Sequence, residues 1–127
     1  MQSYENKIPQ DLEYGVTVTM KVLAGKWKPC IIDCIANGMK RPNQIHKKIK
    51  QANKRVVNQQ LGELYEYDIV SKKVYQEYPL KVEYELTDFG RTLLPIISIM
   101  EEWGNENAQK IYELAIQRKE NIAPLEV

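Results

Sequence analysis

With 127 residues, 43% of them hydrophobic, the chain can fill one compact core but not two ordinary domains, so a single domain over 1–127 is expected. Charged residues make up 28% of it, and no run approaches the roughly 18 apolar residues of a membrane span. Its polar start, Met1 to Gln10 with Glu5, is not that of a secretory signal, so a soluble, cytoplasmic chain without membrane contact is expected.

The net charge of +1 hides a segregation. Seven basic residues (Lys40, Arg41, Lys47, Lys48, Lys50, Lys54 and Arg55) fall between Cys34 and Gly62, a span with no Asp or Glu, and the remainder is net acidic. Such a block is either a solvated helical face or a local footprint for phosphate backbones.

In chain order, Gly15 to Ala24 suits a short helix stopped by Gly25. A second helix is expected from about Trp27 to Ala36, with Pro29 tolerated in its first turn and Asn37-Gly38 as a left-handed exit. Cys30 and Cys34 lie four apart, so on that helix they share a face with Trp27, Ile31 and Ile35. Burial is the expectation for both thiols, because the spacing is not that of a CxxC redox site or a zinc cluster. Trp27 itself reads as core.

Arg41-Pro42-Asn43 opens a third helix carrying Ile45 and Ile49, which loses its pattern near Lys50-Gln51-Ala52. Asn53 is a suitable N-cap for a fourth helix reaching Tyr67. Val57, Leu61 and Leu64 then form its apolar face, and Arg55, Asn58, Gln59 and Gly62 gather on the opposite one. From Ile69 the pattern changes to β: Val70 to Gln76, an interruption at Glu77 to Leu80 containing Pro79, and Lys81 to Leu86 read as a hairpin.

Thr87-Asp88 is expected to cap one long helix over about 88–118, bent at Pro95, which cannot donate to the carbonyl of Arg91. That helix is apolar on more than one side: Leu93, Ile97, Met100, Ile111 and Leu114, widened by Leu94, Ile96, Trp103 and Tyr112. So broad a surface suits burial against a second copy. The fold class expected is mostly α with a small β-hairpin. Three helices, a hairpin and a helix make a winged helix-turn-helix with a core of about 15–90 and added N- and C-terminal dimerisation helices.

Several strings go beyond architecture. Val22 to Lys28 (VLAGKWK), Asn58-Gln59-Gln60-Leu61 with Glu63-Leu64, Pro79 with Lys81 to Gly90 (KVEYELTDFG), Leu93-Leu94-Pro95 and Trp103 occur in the order and spacing of the HxlR family of bacterial regulators, which the chain resembles over roughly residues 14 to 105. The resemblance implies a homodimeric winged-helix repressor or activator, with the first and last helices forming much of the dimer interface. It also implies control of a neighbouring gene, often one answering aldehyde, quinone or oxidative stress. Many members carry a sensing cysteine in a Cys-Pro pair before the first helix. The matching positions here are Tyr14-Gly15, so a thiol switch at that point is excluded. Members often have a basic residue where this chain has Gly62, which implies one phosphate contact fewer.

Arg55, Asn58 and Gln59 are the candidates for base edges, since Arg pairs with guanine O6/N7 and Asn or Gln with adenine N6/N7. Arg41, Lys47, Lys48, Asn53, Lys54 and the hairpin lysines Lys72, Lys73 and Lys81 are candidates for phosphates, which fix register without reading sequence. Val16, Met20, Leu94, Ile97, Met100, Trp103, Ile111 and Tyr112 are the dimer-interface candidates. The single histidine, His46, has no acid or nucleophile beside it in a motif, and no catalytic residue, metal site or cofactor is expected.

The partners expected are double-stranded DNA at a pseudo-palindromic operator, a second copy of the chain, and a small apolar or aromatic effector between the terminal helices and the core, with repression as the outcome. The alternative is a winged-helix protein-interaction module without DNA affinity.

Overall fold

The computed structural model describes residues 14–126, so the Met1–Gln10 reading lies outside it. The chain resolves into two compact units, one ending at Thr92 and one beginning at Leu93. The first contains helices α1 (Gly15–Leu23), α2 (Lys28–Ala36), α3 (Pro42–Lys48) and α4 (Lys54–Glu66), then strands β1 (Val70–Tyr75) and β2 (Lys81–Leu86), then a single turn α5 (Asp88–Arg91). The second is one helix, α6 (Leu94–Glu126).

Local chemistry explains most boundaries. Gly25 and Gly38 stop α1 and α2 with φ of 119° and 93°, values that a side chain resists. Pro42 occupies the first turn of α3, where its missing N–H costs nothing. Asn53 caps α4 as its type suggests, its Oδ1 accepting the Val56 N–H at 2.8 Å. Ile31, Ile32, Ile45, Val57, Leu61, Leu64, Ile69 and Val70 are almost wholly inaccessible and form the core beneath α4. The strands pair antiparallel, Val70 with Leu86 through Tyr75 with Lys81.

Three expectations are corrected. Cys34 is buried but Cys30 is exposed. At 100° per residue the buried arc of α2 holds Lys28, Ile31, Ile32, Ile35 and, at its edge, Cys34; Cys30 falls just beyond that edge. The half-buried Trp27 sits just outside the helix rather than deep in the core.

The single bent helix from Asp88 is in fact two. Thr87 caps only α5, its hydroxyl accepting the Gly90 N–H at 2.8 Å. The chain then turns at Thr92 and Leu93, and α6 begins at Leu94 and continues past Arg118 to Glu126. Pro95 therefore lies in the first turn of α6, where no N–H partner is needed, and the break before it replaces the bend.

Candidate nucleic-acid interface

α4 is held at a fixed angle to α2 by a seam that the sequence strings contain but that residue types alone do not reveal. Gln60, buried, accepts the backbone N–H of Trp27 on its Oε1 at 3.1 Å. Its amide lies against Gly25, so closely that a Cβ there would stand 3.1 Å from it. Lys28, only 3% exposed, puts its Nζ 2.8 Å from Glu63 Oε1. That contact, with help from the Gln59 amide, holds the Glu63 carboxyl below its ordinary range, although partial burial works the other way.

With one side of α4 so fixed, Arg55, Asn58 and Gln59 stand exposed on the other. Lys54 begins the helix, and Lys47 and Lys48 end α3; all three are exposed. Among the described residues Lys47, Lys48, Lys54 and Arg55 enter no ion pair. Asn53 stands at the same end of α4, with its side-chain oxygen engaged in the cap. Gly62 is partly exposed and a Cβ there would meet nothing among the described residues, so none of their packing demands glycine.

The cationic block is smaller in space than in sequence. Lys40 Nζ lies 2.5 Å from Glu85 Oε1, and Arg41 Nε 3.3 Å from Glu83 Oε2. The Tyr84 N–H donates to the Lys40 carbonyl at 2.8 Å between these pairs, and the Tyr75 hydroxyl donates to Glu83 at 3.1 Å. The Lys40 contact holds the Glu85 carboxyl low and raises the Lys40 ammonium. For Glu83 partial desolvation pushes upward, but Tyr75 and Arg41 together outweigh it, and its carboxyl is also lowered. Two of the seven clustered cations are thus matched by carboxylates of β2.

On the hairpin, Lys72 lies 5.7 Å from the Tyr65 ring centre, Lys73 4.9 Å from that of Tyr75, and Lys81 6.0 Å from it. Lys81 also pairs with Glu77 at 3.6 Å. An open groove of about 540 Å³ runs between α3, α4 and the hairpin, lined among others by Arg41, Asn43, Asn58, Leu80 and Lys81. Of the candidates, the groove brings together Asn58, Arg41 and Lys81; Arg55, Gln59, Lys47, Lys48, Asn53, Lys54, Lys72 and Lys73 are not part of its lining.

Of the interface candidates, Val16, Met20, Met100, Trp103, Ile111 and Tyr112 are exposed, Leu94 is half-buried and Ile97 is buried. Burial pushes the Cys34 thiol above its ordinary pKa, with Asp33 and Cys30 adding to it, so it is held in the unreactive thiol form. Among the described residues no group of His, Cys, Asp and Glu is placed to hold a metal, and no helix is long and apolar enough to cross a membrane.

Comparison with known proteins matches residues 22–112 to the HxlR-like helix-turn-helix family. The HTH-type transcriptional regulator YdeP of Bacillus subtilis (strain 168) is 38% identical over 104 residues, covering 82% of this chain and 81% of YdeP. YybR of the same organism is 39% identical over 107 residues, 84% of this chain and 86% of YybR. Among solved structures, the redox regulator HypR in its reduced form superposes with a TM-score of 0.72 at 39% identity, covering 79% of this chain and 99% of HypR. The reduced form of the transcriptional regulator YodB from B. subtilis follows at 0.62 and 27%, covering 75% of this chain and 94% of YodB. A winged-helix core presenting an exposed Arg55, Asn58 and Gln59 face, together with this family match, identifies the chain as a member of the HxlR-like helix-turn-helix family and as a DNA-binding transcriptional regulator.

Proposed function

We propose that this regulator works as a homodimer in the cytoplasm, binds a pseudo-palindromic operator in double-stranded DNA, represses the gene beside it, and catalyses no reaction of its own. The observation that carries the reading is the outer face of α4. Arg55, Asn58 and Gln59 are exposed there, Lys54, Lys47 and Lys48 stand around them, and none of the four cations is paired with a carboxylate among the described residues. In this reading Arg55, Asn58 and Gln59 read base edges, each bidentate contact discriminating by about 1–3 kcal/mol. The lysines hold phosphates.

Dimerisation is supported by the exposed apolar residues of each unit. Val16 and Met20 lie one turn apart on α1; Ile96, Met100, Trp103, Ile111 and Leu114 of α6 fall within about a quarter of the helix circumference. A dimer places recognition helices on half-sites about 34–36 Å apart. With Tyr14-Gly15 in place of a Cys-Pro sensor, the input is a small apolar or aromatic effector rather than an oxidant acting at that position.

The test is fluorescence anisotropy with the duplex upstream of the protein's own gene against a scrambled duplex, across a salt series. Selective binding that weakens steeply with salt and collapses in Arg55→Ala is the expected result. Equal, weak binding to both duplexes, and to every sequence drawn from a random pool, would leave a protein-contact module instead. Sedimentation of wild type and Trp103→Glu tests the dimer: a fall to the monomer mass is expected.

A further inference from the structure

We propose that Glu63 is a positioning residue of α4: braced from behind by buried Lys28, its carboxylate holds the Gln59 amide in one orientation and so sets which base that amide selects. The inference rests on the DNA-reading role of α4 and names the device that makes one of its readers selective.

Glu63 stands between two kinds of neighbour. At 100° per residue it falls about 40° from Gln59 around the helix, between the exposed Arg55, Asn58 and Gln59 face and the buried arc that begins at Gln60. On the inner side, Lys28 of α2 is 3% exposed and brings its Nζ to 2.8 Å from Glu63 Oε1. A side chain so enclosed has little freedom, and α4 is itself fixed there by Gln60, which accepts the Trp27 N–H at 3.1 Å. The carboxylate is therefore an acceptor of settled position. On the outer side, Gln59 lies one turn earlier, at the i,i+4 spacing at which glutamine bonds to an acidic side chain across a helix surface. Its amide adds to the lowering of the Glu63 carboxyl.

That contact decides what Gln59 offers to DNA. A free glutamine amide turns either end outward and meets any base that has a donor or an acceptor on its edge. With one N–H given to Glu63, the amide keeps one N–H and its carbonyl oxygen, a donor beside an acceptor, the complement of adenine N7 and N6. It is also ordered before DNA arrives, so less side-chain freedom is lost on binding. Lys28 serves the same end by balancing a carboxylate that is 40% exposed and would otherwise repel phosphates.

The experiment compares two full-length variants of equal charge in selection from a random duplex pool: Lys28→Met with Glu63→Gln, which keeps an acceptor for Gln59, and Lys28→Met with Glu63→Leu, which removes it. The glutamine variant is expected to keep the wild-type preference for adenine at one position of each half-site. The leucine variant is expected to lose that preference by about tenfold, with every other position unchanged. Equal selectivity of the two variants, or a loss spread evenly over all positions, overturns the proposal. A second readout needs no destabilised chain: NMR relaxation of the Gln59 side-chain amide in DNA-free wild type, assigned by its absence from Gln59→Ala. An order parameter near that of rigid backbone is expected, and one below about 0.6 overturns the proposal. Gln59→Ala in the same selection separates the two readings. If it relaxes a position that the leucine variant leaves intact, Gln59 reads DNA without Glu63 and only the positioning role falls. If wild type enriches no sequence, the DNA-reading role of α4 falls with it.

Discussion

Two ion-paired junctions hold this winged helix together, and they differ in what they are worth. At the seam of α2 and α4, Lys28 is buried and meets Glu63 at 2.8 Å, with Gln60 closing the same joint through the Trp27 N–H. At the base of the hairpin, Lys40, Glu85 and Arg41 keep their side chains open to water, and only Glu83 is half-buried. A buried charge that loses its partner is left uncompensated, whereas exposed pairs typically contribute little. The seam is therefore a stability element. The hairpin pairs act on charge: they neutralise two cations of the basic block, on the surface proposed to meet DNA, while steering β2.

The largest effect is expected where the hairpin leaves the core without any charge at all. A Cβ on Gly90 would collide with the carbonyl oxygen of Ile69, a backbone atom that cannot yield without disturbing the cap made by Thr87. Gly90→Ala should cost about 3 kcal/mol or more in denaturant unfolding. A cost below about 1 kcal/mol would mean that the hairpin exit is as adaptable as the exposed pairs beside it.

At the seam, Glu63→Gln should cost about 1–3 kcal/mol, because it strands a buried ammonium, while Lys28→Met should cost less than about 1 kcal/mol. The Glu63 carboxyl is lowered in the folded chain from an ordinary 4.5, so its contribution is present above that value and is lost as pH falls through the folded value. The difference between wild type and Glu63→Gln should accordingly shrink as unfolding is followed below about pH 4.5. A difference independent of pH would remove the charge pair from the account of the seam.

Gly62→Ala sits on the same helix as the seam but on its outer side, in open space. It should stabilise the fold by about 0.5–1 kcal/mol through helix propensity. If operator affinity falls despite that gain, the glycine serves close approach of the helix backbone to DNA.

The smallest change in stability is expected at the hairpin base. Glu83→Gln with Glu85→Gln should leave the unfolding midpoint nearly unmoved and yet release Arg41 and Lys40. DNA affinity should then rise at low salt, and the salt dependence should steepen by up to about two phosphate equivalents. An unchanged slope would mean that these two cations never reach the backbone of the DNA.

Much of the fold was legible because its signals are local. The apolar spacing of Val57, Leu61 and Leu64, the Asn53 cap and the paired β-rich runs depend on neighbours within a few residues, and each formed as its chemistry implies. The Arg55, Asn58 and Gln59 face was legible for the same reason, as the complement of an apolar stripe. The thiols were harder. A four-residue spacing places Cys30 and Cys34 on nearly the same side of α2, but the buried arc ends between them, and its edge is set by what packs against the helix.

What the sequence by itself determined is therefore the family, the order of the main elements and the polar outer face of α4, since periodicity, caps and linked motifs all act over short range. Tertiary structure alone decided which charges remain available. Lys40 and Glu85 are 45 residues apart and Arg41 and Glu83 are 42 apart. They meet only because Tyr84 bonds to the Lys40 carbonyl and so brings β2 alongside the segment before α3. A cation's partner is chosen by that long-range register, which no count along the chain contains.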